Sequence, residues 1–103
     1  MNKRLLMLEK LTSADSADAF AFYGLAMEYR KEGRIDDALR TFERLRTKDA
    51  SYLPMYLMAG QMLVEAGRQS EARGWLEAGI TLAEQRGDGK TLGELQSELA
   101  NAR

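Results

Sequence analysis

The chain has 103 residues, 45% of them hydrophobic and 30% charged, which is enough for one domain and is typical of a helical globular protein. Fifteen basic residues nearly balance sixteen acidic ones, so the net charge of −1 gives no excess positive potential for binding nucleic acid. The absence of cysteine and histidine excludes thiol chemistry, disulfides, the usual zinc ligand sets and imidazole catalysis, and we expect no cofactor.

The first predicted element is a short amphipathic helix over residues 2–12. The apolar run at its start briefly imitates a signal peptide, but Glu9 and Lys10 end that run well short of a complete hydrophobic region. No segment of the chain approaches the length of a transmembrane helix. We therefore expect a soluble, cytoplasmic protein without a membrane partner.

Two further helices are predicted over residues 19–32 and 36–47. The first has an apolar stripe at the helical spacing i, i+3, i+4 and i+7, formed by Phe22, Leu25, Ala26 and Tyr29. Gly33 stands where this helix must end, because glycine adopts the left-handed conformation of a C-terminal cap without a steric penalty. Asp36 is predicted to begin the next helix, since its side chain can accept an unpaired backbone N–H.

The same pattern returns 34 residues later, and this repeat is the strongest signal in the sequence. Gly33 and Gly67 are one period apart, and so are Arg34 and Arg68. Large residues map onto large ones and small onto small ones: Phe22 onto Tyr56, Ala26 onto Gly60, Tyr29 onto Leu63, Ala38 onto Ala72 and Phe42 onto Leu76. The chain therefore contains two copies of one structural unit.

The period defines repeats over residues 19–52 and 53–86. In the second repeat it predicts helices over residues 53–66 and 70–84, and Ser70 is predicted to begin the latter as a capping side chain. The chain's single proline lies in the first turn of the helix over residues 53–66, where no backbone hydrogen bond is lost.

The period also explains the N-terminal helix. Its three leucines, Leu5, Leu8 and Leu11, precede Leu39, Phe42 and Leu45 by 34 residues. Residues 2–12 therefore correspond to the second helix of a truncated preceding unit, and we expect them to cap the N-terminal end.

A capping helix is also predicted at the C-terminal end, over residues 89–102. It follows a break at residues 87–89 and carries a stripe of Leu92, Leu95 and Leu99. The register of this stripe is shifted by two residues relative to the 34-residue period. Gln96 takes the place of the small residue that permits close helix packing in the repeats, which suits a terminal helix with one polar face. Trp75, which replaces Thr41 of the first repeat, should be covered by this helix.

These positions resemble the tetratricopeptide-repeat (TPR) pattern, in which a bulky residue, a Leu-Gly-like pair and a tyrosine precede an alanine and an aromatic on the next helix. The first repeat carries Phe22, Leu25, Ala26, Tyr29, Gly33, Ala38 and Phe42. The second repeat carries Tyr56, Ala59, Gly60, Leu63, Gly67, Ala72 and Leu76. Ala50 and Glu84 stand where the family usually has proline, and Pro54 opens a helix instead.

The resemblance covers nearly the whole chain and implies an all-α fold. It implies a single TPR domain over residues 1–103, built as a right-handed α-solenoid of two hairpins with capping helices at both ends. The first helices of such hairpins line a concave groove. The family resemblance implies a protein-binding module and does not identify a ligand.

Residues that the repeat does not need for packing are the candidate binding residues. If the family geometry holds, two sets face the groove: Phe20, Tyr23, Met27 and Arg30 in the first repeat, and Leu57, Met58, Gln61 and Val64 in the second, beside Pro54. The resulting surface is mainly apolar, with one amide to orient a ligand. Methionine and tyrosine in such a surface can adapt to a peptide or a helix. The alternative is that both sets belong to the core of a small protein.

Other motifs in the sequence have structural explanations. Some family members bind acidic C-terminal tails through basic and amide side chains, but here the lining positions carry mainly apolar residues. Arg30 and Lys31 can hold an acidic group at the rim, or simply complement the dipole of their helix. Asp36 and Asp37 suit the start of a helix better than a catalytic pair, and residues 87–90 lack the spacing and the hydroxyl of a phosphate loop.

The sequence therefore predicts a non-enzymatic adaptor that binds a partner peptide or helix in a largely apolar groove. The alternative is a homo-oligomer that uses the same apolar surface.

Overall fold

The computed structural model describes residues 1–14 and 16–103 and contains, within these ranges, helices without any strand. The helices are α1 (Lys3–Leu11), α2 (Ala19–Lys31), α3 (Ile35–Lys48), α4 (Leu53–Glu65), α5 (Gln69–Arg86) and α6 (Gly89–Asn101). The all-α prediction is confirmed. The chain divides into two compact units, Met1–Tyr52 and Leu53–Arg103. The assignment of residues 1–103 to a single domain stays a prediction.

In the first unit, α2 packs against both α1 and α3. The stripe predicted for α2 is buried as expected, and Ala26 has no exposed surface. On α3, Ala38, Phe42 and Leu45 are also without exposed surface. The side chains between α2 and α3 therefore form the core of this unit.

The N-terminal helix differs from its predicted stripe at one position. Leu5 and Leu8 of α1 are buried, but Leu11 is 53% exposed. The side chain of Leu8 lies beside Gly24 of α2. The stripe shared with α3 thus packs only over its first half, and Leu11 contributes to a surface instead.

In the second unit, α4 and α5 form a hairpin and α6 packs against both. The rings of Tyr56 and Trp75 lie 6.0 Å apart between α4 and α5. A Cβ added at Gly60 would overlap the Leu76 side chain, so α4 and α5 are in close contact at this small residue. The α4–α5 hairpin therefore packs without space for a larger residue at this point.

Glycine ends the first helix of each hairpin, as the sequence predicts. Gly33 and Gly67 have φ angles of 76° and 75°. The next amide then reaches back into the helix: Arg34 N donates to Tyr29 O at 2.9 Å, and Arg68 N donates to Leu63 O at 2.8 Å. This pairing satisfies carbonyls that the helix end would leave unbonded.

The predicted starts of the second helices are wrong by one residue. Asp36 and Ser70 were expected to cap these helices, but both lie in the first turn, because the helices begin at Ile35 and Gln69. The residues before these, both arginines, take the cap position without a side-chain cap hydrogen bond. The amide of each arginine is already used by the glycine turn, so the helix follows that turn directly.

An ion pair stabilises each of these helix starts in place of a cap. Arg34 Nε lies 2.9 Å from Asp37 Oδ2, and Arg68 Nε lies 2.8 Å from Glu71 Oε1. The pairs are 34 residues apart, so the period extends to polar contacts.

The last helix begins at a side-chain cap. Gly87 ends α5 with a φ of 66°, and Asp88 accepts hydrogen bonds from Thr91 N at 3.1 Å and Thr91 Oγ1 at 2.8 Å. Leu95 is completely buried, while Leu92 and Leu99 are half-buried.

Candidate functional site

The candidate residues of the first unit all lie on α2 and none is buried. Phe20 is 72% exposed, and Tyr23, Met27 and Arg30 are half-buried. Asp18 caps the helix by accepting a hydrogen bond from Ala21 N at 3.0 Å. Because the opposite stripe of α2 is buried in the core, this face is turned toward solvent.

Tyr23 packs against a second tyrosine, which is not among the predicted binding residues. Its ring centroid lies 5.2 Å from that of Tyr52, in a tilted arrangement that aromatic pairs favour. Burial, followed by the neighbouring Tyr52, raises the pKa of Tyr23, and the charge of Arg30 opposes this. Burial also raises the pKa of Tyr52. Both shifts act in the direction that keeps a phenol neutral, so the centre of this face is uncharged at physiological pH.

A pocket of about 410 Å³ lies between α1 and α2 in this unit. The candidate residues Phe20, Tyr23 and Met27 line it on the α2 side. Leu8 and Leu11 of α1 line it on the other side. The pocket is therefore apolar across its floor and wide enough for one large side chain of a partner.

Charged groups at the rim of this pocket are paired with one another. Glu28 is buried and lies 3.1 Å from Arg4 Nε. Its Oε2 also accepts a hydrogen bond from Asn2 Nδ2 at 2.8 Å. A buried carboxylate needs such partners, and these contacts tie α1 to α2 beside the pocket.

The candidate residues of the second unit lie on α4. Leu57, Met58, Gln61 and Val64 are all half-buried, whereas Pro54 is exposed. Leu57 and Pro54 line a smaller pocket of about 320 Å³, together with Thr91 and Asp88 at the start of α6. The last helix thus forms one wall of the surface that α4 offers.

The amide predicted to orient a ligand already has a partner in the chain. Gln61 Nε2 donates to Glu98 Oε1 of α6 at 3.4 Å. This distance is long for a hydrogen bond, so the contact is weak. A ligand would compete with Glu98 for this amide rather than meet a group without a partner.

Sequence reasoning did not identify three residues that shape the first surface: Tyr52, Leu8 and Leu11. Tyr52 follows the last helix of its repeat in a short loop, where no periodic pattern points to a binding role. Leu8 and Leu11 were assigned to the packing stripe of a cap. The exposed end of that stripe became apparent only once the path of α1 over α2 was known.

Neither a metal site nor a membrane span is found among residues 1–14 and 16–103. No group of three or more acidic side chains in these ranges is arranged to hold a metal ion. No helix there is long and apolar enough to cross a membrane.

Comparison with solved structures decides the family. A crystal structure of a tetratricopeptide repeat domain protein from Salinibacter ruber is 33% identical to the chain, with a TM-score of 0.73. The alignment covers 82% of this chain and 96% of that one. This chain belongs to the tetratricopeptide-repeat family. A solution structure of a TPR domain protein from the same organism gives a TM-score of 0.74 at the same identity, and covers 82% of this chain and 86% of that one.

A third solved structure supports the TPR fold without bearing on function. It is a protein from Bordetella parapertussis, 24% identical, with a TM-score of 0.83 over 99% of this chain and 89% of that one. No family model and no curated protein matches the chain. The TPR assignment therefore stands on solved structures and on the repeat itself.

Proposed function

We propose that this TPR protein is a non-catalytic adaptor that binds an apolar helix or extended peptide of a partner protein through the first-helix surfaces of its repeats. The observation that carries the proposal is the exposed face of α2, where Phe20 is 72% exposed beside half-buried Tyr23 and Met27. Contiguous apolar surface of this kind marks interaction sites in soluble proteins.

The chemistry of the α2 surface favours an apolar ligand segment. The pocket between α1 and α2 accepts one large side chain, and Tyr23 is a rigid aromatic that lies beside it. Aromatic anchors of this kind dominate the affinity of many interfaces. Arg30 follows one helical turn after Met27 and can contact an acidic group of the ligand at the rim.

The surface of α4 has similar chemistry in the second repeat. Leu57 and Met58 are half-buried apolar residues, and Gln61 can exchange its weak bond to Glu98 for a bond to a ligand backbone. Methionine adapts its shape to different ligands, which suits a binding surface of moderate selectivity.

Selection from a displayed library of random peptides tests this function. The peptides retained by the wild-type protein should be rich in large apolar residues, and their affinity should fall at least tenfold, or about 1.4 kcal/mol, in the Phe20→Ser/Met27→Ser variant. Lys48→Ser, an exposed change on α3, is the matched control and should leave binding unchanged. Peptides that bind the double variant as tightly as wild type would contradict the proposal.

The alternative function, a homo-oligomer formed through the same surface, predicts a different result. Light scattering on the pure protein should give a concentration-independent monomer for the adaptor. A stable multimer that the Phe20→Ser/Met27→Ser variant dissociates would favour the alternative.

A further inference from the structure

The outer face of α1 is a second apolar surface, centred on Met7, that borders the proposed groove at Leu11. Among the described residues, the large apolar side chains that are at least half exposed all belong to the first unit: Met1, Leu6, Met7, Leu11 and Phe20. Three of them lie on α1. Met7 and Leu11, each 53% exposed, are four residues apart and share one face of this helix.

The repeat shows that the positions equivalent to Met7 and Leu11 are normally buried. One period after Met7 the chain has Thr41, and one period later it has Trp75, and both are buried. The corresponding positions after Leu11 are Leu45, which has no exposed surface, and Gly79, which is also buried. The exposed face of α1 is therefore equivalent to a face that α3 and α5 bury.

In the second unit, the first helix of the hairpin covers part of this face. The ring of Trp75 lies 6.0 Å from that of Tyr56 on α4. A Cβ added at Gly79 would come within 2.6 Å of Tyr56 Cβ, so α4 and α5 touch closely there. In the described part of the first unit, α1 packs against α2 alone. No helix of this part covers α1 in the way that α4 covers α5.

The charges around the face specify the chemistry of what would cover it. Lys3 and Lys10, at positions i−4 and i+3 from Met7, flank it on one side, and Arg4, at i−3, flanks it on the other. The Arg4 side chain is 65% exposed while it pairs with Glu28. A second copy of α1 would bring these basic residues together and be repelled.

We propose that the outer face of α1 docks an amphipathic helix of a partner protein that carries acidic residues along both flanks of its apolar stripe. The helix completes a hairpin with α1, as α2 does with α3. Its apolar stripe covers Met7 and Leu11, and its carboxylates meet Lys3, Lys10 and Arg4. Arg4 stands where both repeats have a completely buried alanine, Ala38 and Ala72, and its exposed guanidinium can contact a partner carboxylate while it pairs with Glu28.

The test uses two synthetic helical peptides of about 18 residues, above the length at which isolated helices are marginal. Both carry the same leucine stripe; one has glutamate and the other lysine on its flanks. The glutamate peptide should bind the wild-type protein at least tenfold more tightly than the lysine peptide. The Met7→Ser variant should lose at least tenfold of this affinity with an unchanged melting temperature, because Met7 is already half exposed.

Three controls distinguish the docking of an acidic helix on this face from binding in the groove, from a second copy of the chain and from a membrane surface. Met27→Ser, in the proposed groove, should leave binding of the glutamate peptide unchanged; a loss there would place the peptide in the groove and overturn the inference. A dimer in light scattering that Met7→Ser dissociates would assign the face to a second copy and overturn it. Vesicles of anionic lipid that bind the wild-type protein, but not Met7→Ser, when the glutamate peptide does not bind, would assign the face to a membrane surface and also overturn it.

Discussion

Tyr29 of α2 donates a hydrogen bond from its phenol to Glu9 Oε2 of α1 at 2.5 Å. The ring of Tyr29 is buried, and the guanidinium of Arg34 lies over it at 4.6 Å from the centroid. Burial, followed by the bond to Glu9, raises the pKa of Tyr29 from 10.0 to about 12. One tyrosine of the TPR stripe therefore joins the N-terminal helix to the first repeat.

The first prediction concerns this bond. Tyr29→Phe removes the phenol and should destabilise the protein by about 1–2 kcal/mol, because the acceptor is a carboxylate at a partly buried site. Chemical denaturation measures this change. Glu9→Gln, which keeps an acceptor of similar size, should cost less. If Tyr29→Phe left the denaturation midpoint unchanged, the contact would have no role in holding α1.

The second prediction follows from the raised pKa of the same group. The neutral phenol is favoured in the folded state, so its contribution to stability is complete below pH 10 and is lost as the pH rises toward 12. Ultraviolet titration of the tyrosines should show a component that ionises near pH 12 and disappears in Tyr29→Phe. A wild-type titration curve that Tyr29→Phe only reduces in amplitude, without loss of this late component, would contradict the assignment.

The third prediction uses two glycines of α5 that have opposite surroundings. A Cβ at Gly79 would lie 2.6 Å from Tyr56 Cβ, whereas a Cβ at Gly74 would meet nothing within 4 Å. Gly79→Ala should therefore destabilise by about 1–3 kcal/mol through overpacking. Gly74→Ala should stabilise by about 0.5–1 kcal/mol, because alanine is the better helix former. The same sign of change at both positions would contradict the close packing of α4 on α5.

The fourth prediction concerns enlargement of the small residues in the hairpins. Ala26→Leu and Gly60→Leu should each cost about 1–3 kcal/mol, since Ala26 has no exposed surface and Gly60 lies against Leu76. Denaturation midpoints that stay unchanged at both positions would be incompatible with TPR packing.

The helices were predictable because each one shows its buried stripe directly in the spacing of apolar residues. The first residues of the helices were less predictable. Asp36 and Ser70 have the chemistry of caps, but the turn at each glycine places the preceding arginine in the cap position. Gly79 was not identified as a close contact, because one period earlier the chain has the large Leu45 at that position.

The candidate site was predictable in part for a similar reason. A residue that a repeat does not bury is recognisable by its angle from the packing stripe, and Phe20 and Met27 were identified in this way. Tyr52 was not, because its contact with Tyr23 depends on the path of a loop. The bond between Gln61 and Glu98 also depends on where α6 lies, and spacing carries no information on that.

The fifth prediction concerns the C-terminal helix. Trp75 is 6% exposed, and α6 packs against both helices of the second hairpin. Removal of residues 87–103 should lower the melting temperature and shift tryptophan fluorescence to the red, as Trp75 gains contact with water. Leu95→Ala, a change at a completely buried position, should destabilise in the same direction by about 2–5 kcal/mol. An unchanged spectrum after truncation would mean that α6 does not cover Trp75.

The most direct test of the proposed adaptor function changes one half-buried apolar residue of each repeat. The Met27→Ser/Leu57→Ser double variant should keep the helical circular-dichroism signal and a melting temperature near that of the wild type, because neither side chain belongs to the buried core. Calorimetric titration with a peptide selected on the wild-type protein should then show at least a tenfold loss of affinity, with each single variant intermediate. A double variant that unfolds would show that these residues are core, and one that is folded and binds the peptide with wild-type affinity would show that the ligand does not use the first-helix surfaces.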